Sequence, residues 1–328
     1  MSAPARFAPP GPLGCGGAPL GNLFAPVTET DARAMLDAAW DAGVRFYDTA
    51  PFYGFGLSEH RFGDALRVRD RAAYTLCTKV GRLIEPADNL ERTRFNFVDG
   101  LPFAARFDYS AAGARRSLED SRQRLGIPKI DIALIHDVGE DTHGDDWQTV
   151  FDTAMNGAAK ELERMRAAGE IRAYGLGVNL VEPCLRALDR ADPDVFLLAG
   201  RYTLLDHELA LAELFPRCAE RNVKIIIGGP YNSGLLAGGD TYNYESAPAD
   251  LVDRVRRLQA RCRDHGIPLK AAALQFCAAH PVVASVIPGT KTPERVRQNV
   301  DLMAQPIPGA FWAELKHDGI IPPDAPTP

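Results

Sequence analysis

Val44-Arg45-Phe46-Tyr47-Asp48-Thr49-Ala50-Pro51-Phe52-Tyr53-Gly54 is a short apolar run that stops on a carboxylate and then turns. Two further runs stop in the same manner: Tyr74-Thr75-Leu76-Cys77-Thr78 at Lys79, and Ile130-Asp131-Ile132-Ala133-Leu134-Ile135 at His136. Each is short and rich in β-branched or aromatic residues, which reads as a buried strand of a parallel sheet. Packing alone does not account for an ionisable group at such an end. If the strands lie side by side and parallel, Asp48, Lys79, His136 and Tyr53 emerge on one rim, and that rim is where a parallel α/β barrel does its chemistry.

Outward from these runs, apolar segments alternate with amphipathic ones, the signature of βα units. Strands are predicted near 13–17, 44–48, 74–79, 130–136, 173–178, 194–200, 223–228 and 283–288, which is the barrel number. Helices are predicted at 29–42, with Thr30 as cap, at 57–67, opened by Ser58, and at 111–125, closed by Gly126. Others follow at 147–168, 181–190, 206–221 and 249–279, the last broken at Gly266 and Pro268, and a final helix opens at Thr292-Pro293. A doubly wound sheet shares the alternation. Strand count, and ionisable residues spread over several strand ends, favour the (β/α)8 TIM barrel. The chain, 1–328, is expected to form a single domain.

Residues 80–112 form the longest stretch without clear periodicity and carry Arg82, Arg92, Arg94, Phe95, Phe97, Phe103, Phe107 and Tyr109. Loops of that length are usually functional. Following the strand that ends at Lys79, this one should lie over the active rim as a substrate wall. The tail from 303 to 328 contains six prolines and is expected either to fold over the same mouth or to stay loose.

At 46% hydrophobic and 24% charged, 328 residues can bury a large core. The net charge of −6 argues against nucleic-acid or anionic-membrane partners, which need clustered positive charge. No run approaches the ~20 apolar residues of a membrane span, and Met1 to Leu13 lacks the apolar core of a signal peptide. Six cysteines, with no C-x-x-C pair, read as buried reduced thiols of a cytoplasmic protein. None of the seven histidines forms a His-x-His pair, so no metal site is expected.

Taken singly, Asp48 could be a turn cap, Lys79 a solvated strand edge and His136 a core histidine. Together they form a proton-handling set. A tyrosine phenol with a pKa of about 10 is a poor acid or base at neutral pH. A lysine beside it favours the phenolate, and a carboxylate beyond the lysine keeps the ammonium charged. His136 can hold a substrate oxygen against the tyrosine. Such a site moves a proton while something else moves a hydride.

Asp48-Thr49-Ala50-Pro51-Phe52-Tyr53-Gly54 followed by Ser58-Glu59 resembles a signature segment of the aldo-keto reductase superfamily. Thr78-Lys79, Ile135-His136 and Ile287-Pro288-Gly289 match its later stations. The resemblance implies a (β/α)8 barrel, NAD or NADP bound at the C-terminal rim, and Asp48, Tyr53, Lys79 and His136 as catalytic tetrad. It also implies cofactor contacts from Gly16, Gly17 and Asp48, from Asn179, and from Gly229, Tyr231, Asn232 and Ser233. Gly289, Thr290, Lys291, Arg295, Gln298 and Asn299 would complete the adenosine-phosphate end. Where many members carry Lys-Ser to clamp a 2′-phosphate, this chain has Gly289-Thr290, which tilts the expectation to NAD.

Segments such as Gly17-Ala18-Pro19-Leu20-Gly21-Asn22-Leu23 and Gly228-Gly229-Pro230-Tyr231-Asn232-Ser233-Gly234 resemble the aldose 1-dehydrogenase branch, which includes L-fucose, L-galactose and pyridoxal 4-dehydrogenases. The implied reaction is NAD(P)-dependent oxidation of an aldose of the L-fucose, L-galactose or D-arabinose type at C1 to the aldonolactone. Pyridoxal 4-dehydrogenation and NADPH-dependent carbonyl reduction are the alternatives. A nucleotide-sensing binding module is a further alternative, which retention of the whole tetrad disfavours. The implied partner is a small sugar or aldehyde, acted on by a monomer or homodimer.

Overall fold

Eight strands form one parallel sheet in a computed structural model that describes residues 6–243 and 245–328. They are β1 (Cys15–Gly16), β2 (Phe46–Asp48), β3 (Thr75–Val80), β6 (Ile132–His136), β7 (Ala173–Val178), β8 (Val195–Ala199), β9 (Lys224–Gly228) and β12 (Val283–Ile287), in that spatial order. Parallel bridges from Leu13 to Val286 and from Gly16 to Gly289 close the ring. The interior is filled by Phe46, Cys77, Ile132, Leu134, Ala173, Val195, Leu197, Ile226 and Ile287. Phe7 packs against this cluster, with the Arg172 guanidinium 3.7 Å from its ring. A second, larger apolar layer lies between the strands and the outer helices.

Helices fall where periodicity placed them, with local differences. Thr28, not Thr30, caps the first, its hydroxyl accepting from the Asp31 N–H, so the helix runs Glu29–Asp41. Gly56, at φ +102°, precedes the helix Leu57–Leu66, and Ser58 lies inside it. The predicted 147–168 helix contains a π-helical turn at Met155–Ala159, where Gly157 lets the backbone of Tyr109 and Ser110 approach. Thr292 caps the helix Pro293–Ala304 through the Arg295 N–H.

The stretch read as an aperiodic loop contains an antiparallel hairpin, β4 (Arg82–Pro86) with β5 (Phe103–Phe107). Leu83 is deeply buried whereas β5 is half-exposed to exposed, so the alternation that marks a strand is missing. A small hairpin, β10 (Thr241–Tyr242) with β11 (Glu245–Ser246), follows β9. All six cysteines are buried as free thiols. No helix among the described residues is long and apolar enough to cross a membrane.

The tail neither covers the mouth nor stays loose. It forms the helix Gly309–His317, whose Phe311, Trp312 and Leu315 are buried. Arg261 bonds Asp318 at 2.8 Å and His265 meets Glu314 at 2.9 Å, which clamps the tail to the outer helix Ala249–Asp264. Trp312→Ala should therefore cost about 3–5 kcal/mol in urea unfolding. A change under 1 kcal/mol would show that the tail does not contribute to the core.

Candidate functional site

Pairing and period place the ionisable groups. Asp48 ends β2 opposite Cys77 of β3, and Cys77 faces the interior, so Lys79, two residues on, faces inward as well. Ile132 and Leu134 are interior residues of β6, which turns His136 inward in its turn. Lys79 Nζ donates to both carboxylate oxygens of Asp48 and to the Thr49 carbonyl, each at 2.9 Å. Opposite, a Cβ on Gly177 would lie 3.1 Å from Lys79 Cε, so the absence of a side chain leaves room for the lysine stem.

Tyr53 completes the group. Lys79 Nζ lies 4.8 Å from its ring centroid, and the His136 ring meets it edge-on at 5.8 Å. The turn carrying Tyr53 is tied down by Ser58, which donates to the Gly17 carbonyl and lies 2.9 Å from the Thr49 hydroxyl. Glu59, fully buried, accepts from Thr78 at 2.8 Å and from Arg124 at 2.6 Å, locking the helix to β3.

Burial would lower the Lys79 ammonium, but Asp48 and Tyr53 hold it above its ordinary value. Burial leaves the Asp48 carboxyl raised despite Lys79. Three short hydrogen bonds from one ammonium decide the matter: the pair is ionised. His136 is held well below its ordinary value by burial, then by Arg82 and Lys79, so its ring is neutral at neutral pH.

A cavity of about 450 Å³ opens beside this group. Its lining includes Gly16, Gly17, Asp48, Tyr53, Gly229, Tyr231, Ser233, Gly289, Thr290, Lys291, Arg295, Gln298 and Asn299, thirteen of the residues named from sequence. Lys79 and His136 stand behind Asp48 and Tyr53, outside the lining. Two residues are turned elsewhere. Asn232 is buried and donates to the Gly200 carbonyl at 3.2 Å. Asn179 lies just past β7 and donates to Asp141 at 2.8 Å, on the surface. Lys270, Leu23 and Phe24 line the cavity without having been legible as site residues.

The cavity wall fits an extended dinucleotide. Asn232, Ser233 and Gly234 are all left-handed, and a Cβ on Gly234, at φ +110°, would enter open space. Such a run of turned backbone suits an anionic linker. Beyond it, Lys291 donates to the carbonyls of Leu23 at 2.7 Å and Ala25 at 3.4 Å, tying the 22–25 segment across the cleft. The same segment is joined to the 80–112 stretch, with the Phe24 N–H donating to the Asn96 carbonyl at 2.7 Å. An aromatic cluster lies where this stretch meets the Tyr53 turn: Phe52 meets Phe95 at 5.6 Å, Phe97 at 5.4 Å and Phe55 at 5.7 Å.

Residues 12–317 match the Aldo/keto reductase family, and the chain belongs to it. It is an NAD(P)-dependent oxidoreductase. It is 42% identical to pyridoxal 4-dehydrogenase of Microbacterium luteolum and 40% identical to D-threo-aldose 1-dehydrogenase of a Pseudomonas species, each alignment covering 94% of both chains. The holo form of an aldo-keto reductase from Bacillus halodurans superposes with a TM-score of 0.71 at 25% identity, covering 95% of each chain.

The Asp48–Lys79 pair generates a stability prediction. Lys79→Met leaves a buried carboxylate without its cation, which should cost about 3–5 kcal/mol at neutral pH. With the folded pKa of Asp48 raised further above its unfolded value near 4, the folded protein then binds the proton more tightly. The deficit should therefore be smallest near pH 4–5 and grow as pH rises toward 8. Urea unfolding across that range reads it, with Asp48→Asn/Lys79→Met as the control that removes the pH dependence. A deficit independent of pH would contradict an ionised buried pair.

Proposed function

We propose that this protein oxidises a cyclic hemiacetal at its ring carbonyl-equivalent carbon to a lactone, with an aldose of the L-fucose, L-galactose or D-arabinose type as substrate. The observation that carries the reading is the Asp48–Lys79 pair held against Tyr53, with neutral His136 on the other side of the ring. A nicotinamide cofactor bound in the cavity would supply the hydride acceptor. Gly16 and Gly17 would border its ribose, the 229–234 turn its pyrophosphate, and Thr290 to Asn299 its adenosine end.

In this reading Tyr53 is the proton acceptor. The Tyr53 charge raises Lys79, and by reciprocity the Lys79 charge favours phenolate over phenol. The anomeric hydroxyl gives its proton to the Tyr53 oxygen, the C1–O bond becomes a carbonyl, and the C1 hydrogen leaves with its electron pair. His136 holds the anomeric oxygen during the transfer. Asp48 keeps Lys79 charged and in place.

NAD is the preferred cofactor in the same reading. Gly289-Thr290 removes one cation from the 2′-phosphate position, and Lys291 spends donors on Leu23 and Ala25. Burial, followed by Arg295, also lowers the Lys291 ammonium. A second substrate reading, pyridoxal to its 4-lactone, is favoured by the aromatic wall of Phe52, Phe95 and Phe97, which suits a pyridine face.

Absorbance at 340 nm with NAD or NADP against L-fucose, L-galactose, D-arabinose and pyridoxal tests substrate and cofactor together. Reduction of NAD by at least one aldose is expected; activity confined to pyridoxal selects the second reading, and inactivity on all four overturns both. Tyr53→Phe should bind NADH as the wild type does while losing about 10²–10⁴-fold in kcat. Turnover within threefold of wild type would remove Tyr53 from the mechanism.

A further inference from the structure

A second charged pair lies beside the reacting group and takes no part in the steps above. Arg82 opens β4, and its side chain is 7% exposed. Its guanidinium carbon lies 3.8 Å from the Phe52 ring centroid and 4.9 Å from that of Phe107, and Nη2 meets Asp137 Oδ2 at 2.9 Å. The same Asp137 oxygen is 3.4 Å from His136 Nε2. Asp137 is fixed in the left-handed region at φ +51°: its N–H donates to Gly177, and its carbonyl accepts from Tyr109 at 2.9 Å, with His143 Nε2 also 2.9 Å away.

Two buried nitrogens around this carboxylate, Arg82 Nη1 and His136 Nδ1, have no hydrogen-bond partner among the described residues. Leaving a buried donor unpaired costs about 1–3 kcal/mol, and a buried ion pair is a weak source of stability. The hairpin does not need the guanidinium, because Glu85 already takes Arg106 at 3.0 Å and Arg116 at 3.1 Å, and Ser117 donates to the Arg82 carbonyl at 3.2 Å. Phe52 directly precedes Tyr53, and its ring is 6.4 Å from that of His136. None of Arg82, Asp137 and His136 lines the dinucleotide cavity. The unpartnered Arg82 donor and the unpartnered His136 ring nitrogen thus lie beside Tyr53 and outside the dinucleotide cavity.

We infer that Arg82 is a substrate-binding residue: with Asp137 holding one arm of its fork, Nη1–H donates to a hydroxyl or phenolic oxygen carried away from the reacting carbon of a cyclic hemiacetal. This inference rests on the proposed reaction and adds what recognises the rest of the substrate. A planar fork braced by a carboxylate and packed against two aromatic rings presents its free N–H in one direction. A site of that kind discriminates strongly against a substrate lacking the matching oxygen.

The test compares wild type, Arg82→Met and Arg82→Lys on the accepted substrate and on analogues lacking one hydroxyl at a time, with 3-deoxypyridoxal serving that purpose for pyridoxal. For one analogue the wild type should lose about ten- to hundredfold in kcat/KM. In Arg82→Met that penalty should shrink to threefold or less, and Arg82→Lys should restore part of it. Thermal melts identify any variant that fails to fold, and Arg82→Lys keeps the charge beside Asp137. A penalty that persists in both variants for every analogue overturns the inference. Equilibrium dialysis of the same compounds, run alongside, reads the contact without turnover. Inactivity of the wild type would then defeat the proposed reaction while leaving the Arg82 contact separately measured.

Discussion

A lysine and an aspartate that are each almost fully buried, Lys79 and Asp48, set the terms for the rest of the site. Taking two charges out of water costs several kcal/mol per ion, and the cost is met only when every donor finds an acceptor at good geometry. Here the fit requires two adjacent parallel strands in fixed register, the Thr49 carbonyl as third acceptor, and an empty position at Gly177 for the lysine stem. A single-residue slip of β3 against β2 would turn the ammonium to the other face of the sheet. Barrel closure, strand register and site chemistry are thus one constraint seen at three scales.

Most elements marked by a local pattern are legible in the sequence. The strand at 130–136 is a short isoleucine-rich run and that at 173–178 a short, mostly apolar one, and all eight fall close to their predicted bounds. Thr292 before Pro293 and Gly126 after Leu125 are local cap signals, and both act as read. Thr30 lost to Thr28 because two threonines compete within one turn, and only the one whose hydroxyl reaches the N–H three residues on can cap. Ser58 looked like a cap but serves as a tertiary tie to Gly17.

What was not legible depends on contacts between distant segments. The β4–β5 hairpin spans a sixteen-residue connection, so no turn signal marks its register. The tail helix is preceded and followed by prolines, and its burial depends on an outer helix some fifty residues earlier. Arg82 is one arginine among many until the fold sets it between Phe52 and Asp137. Lys291 lines the cavity, and its ties to Leu23 and Ala25 join residues 268 and 266 positions apart, which no local pattern marks. The family resemblance is written in local motifs, whereas the contacts of Arg82 and Lys291 are long-range ones.

The most direct test of the account follows the reacting carbon itself. Aldose labelled with ¹³C at C1 is incubated with the enzyme and NAD while the ¹³C spectrum and the absorbance at 340 nm are recorded together. The account predicts that the anomeric signals decline as a lactone carbonyl signal grows, in step with one reduced nicotinamide per labelled carbon. Reduced cofactor with C1 unchanged, or oxidation at any other carbon, would contradict it.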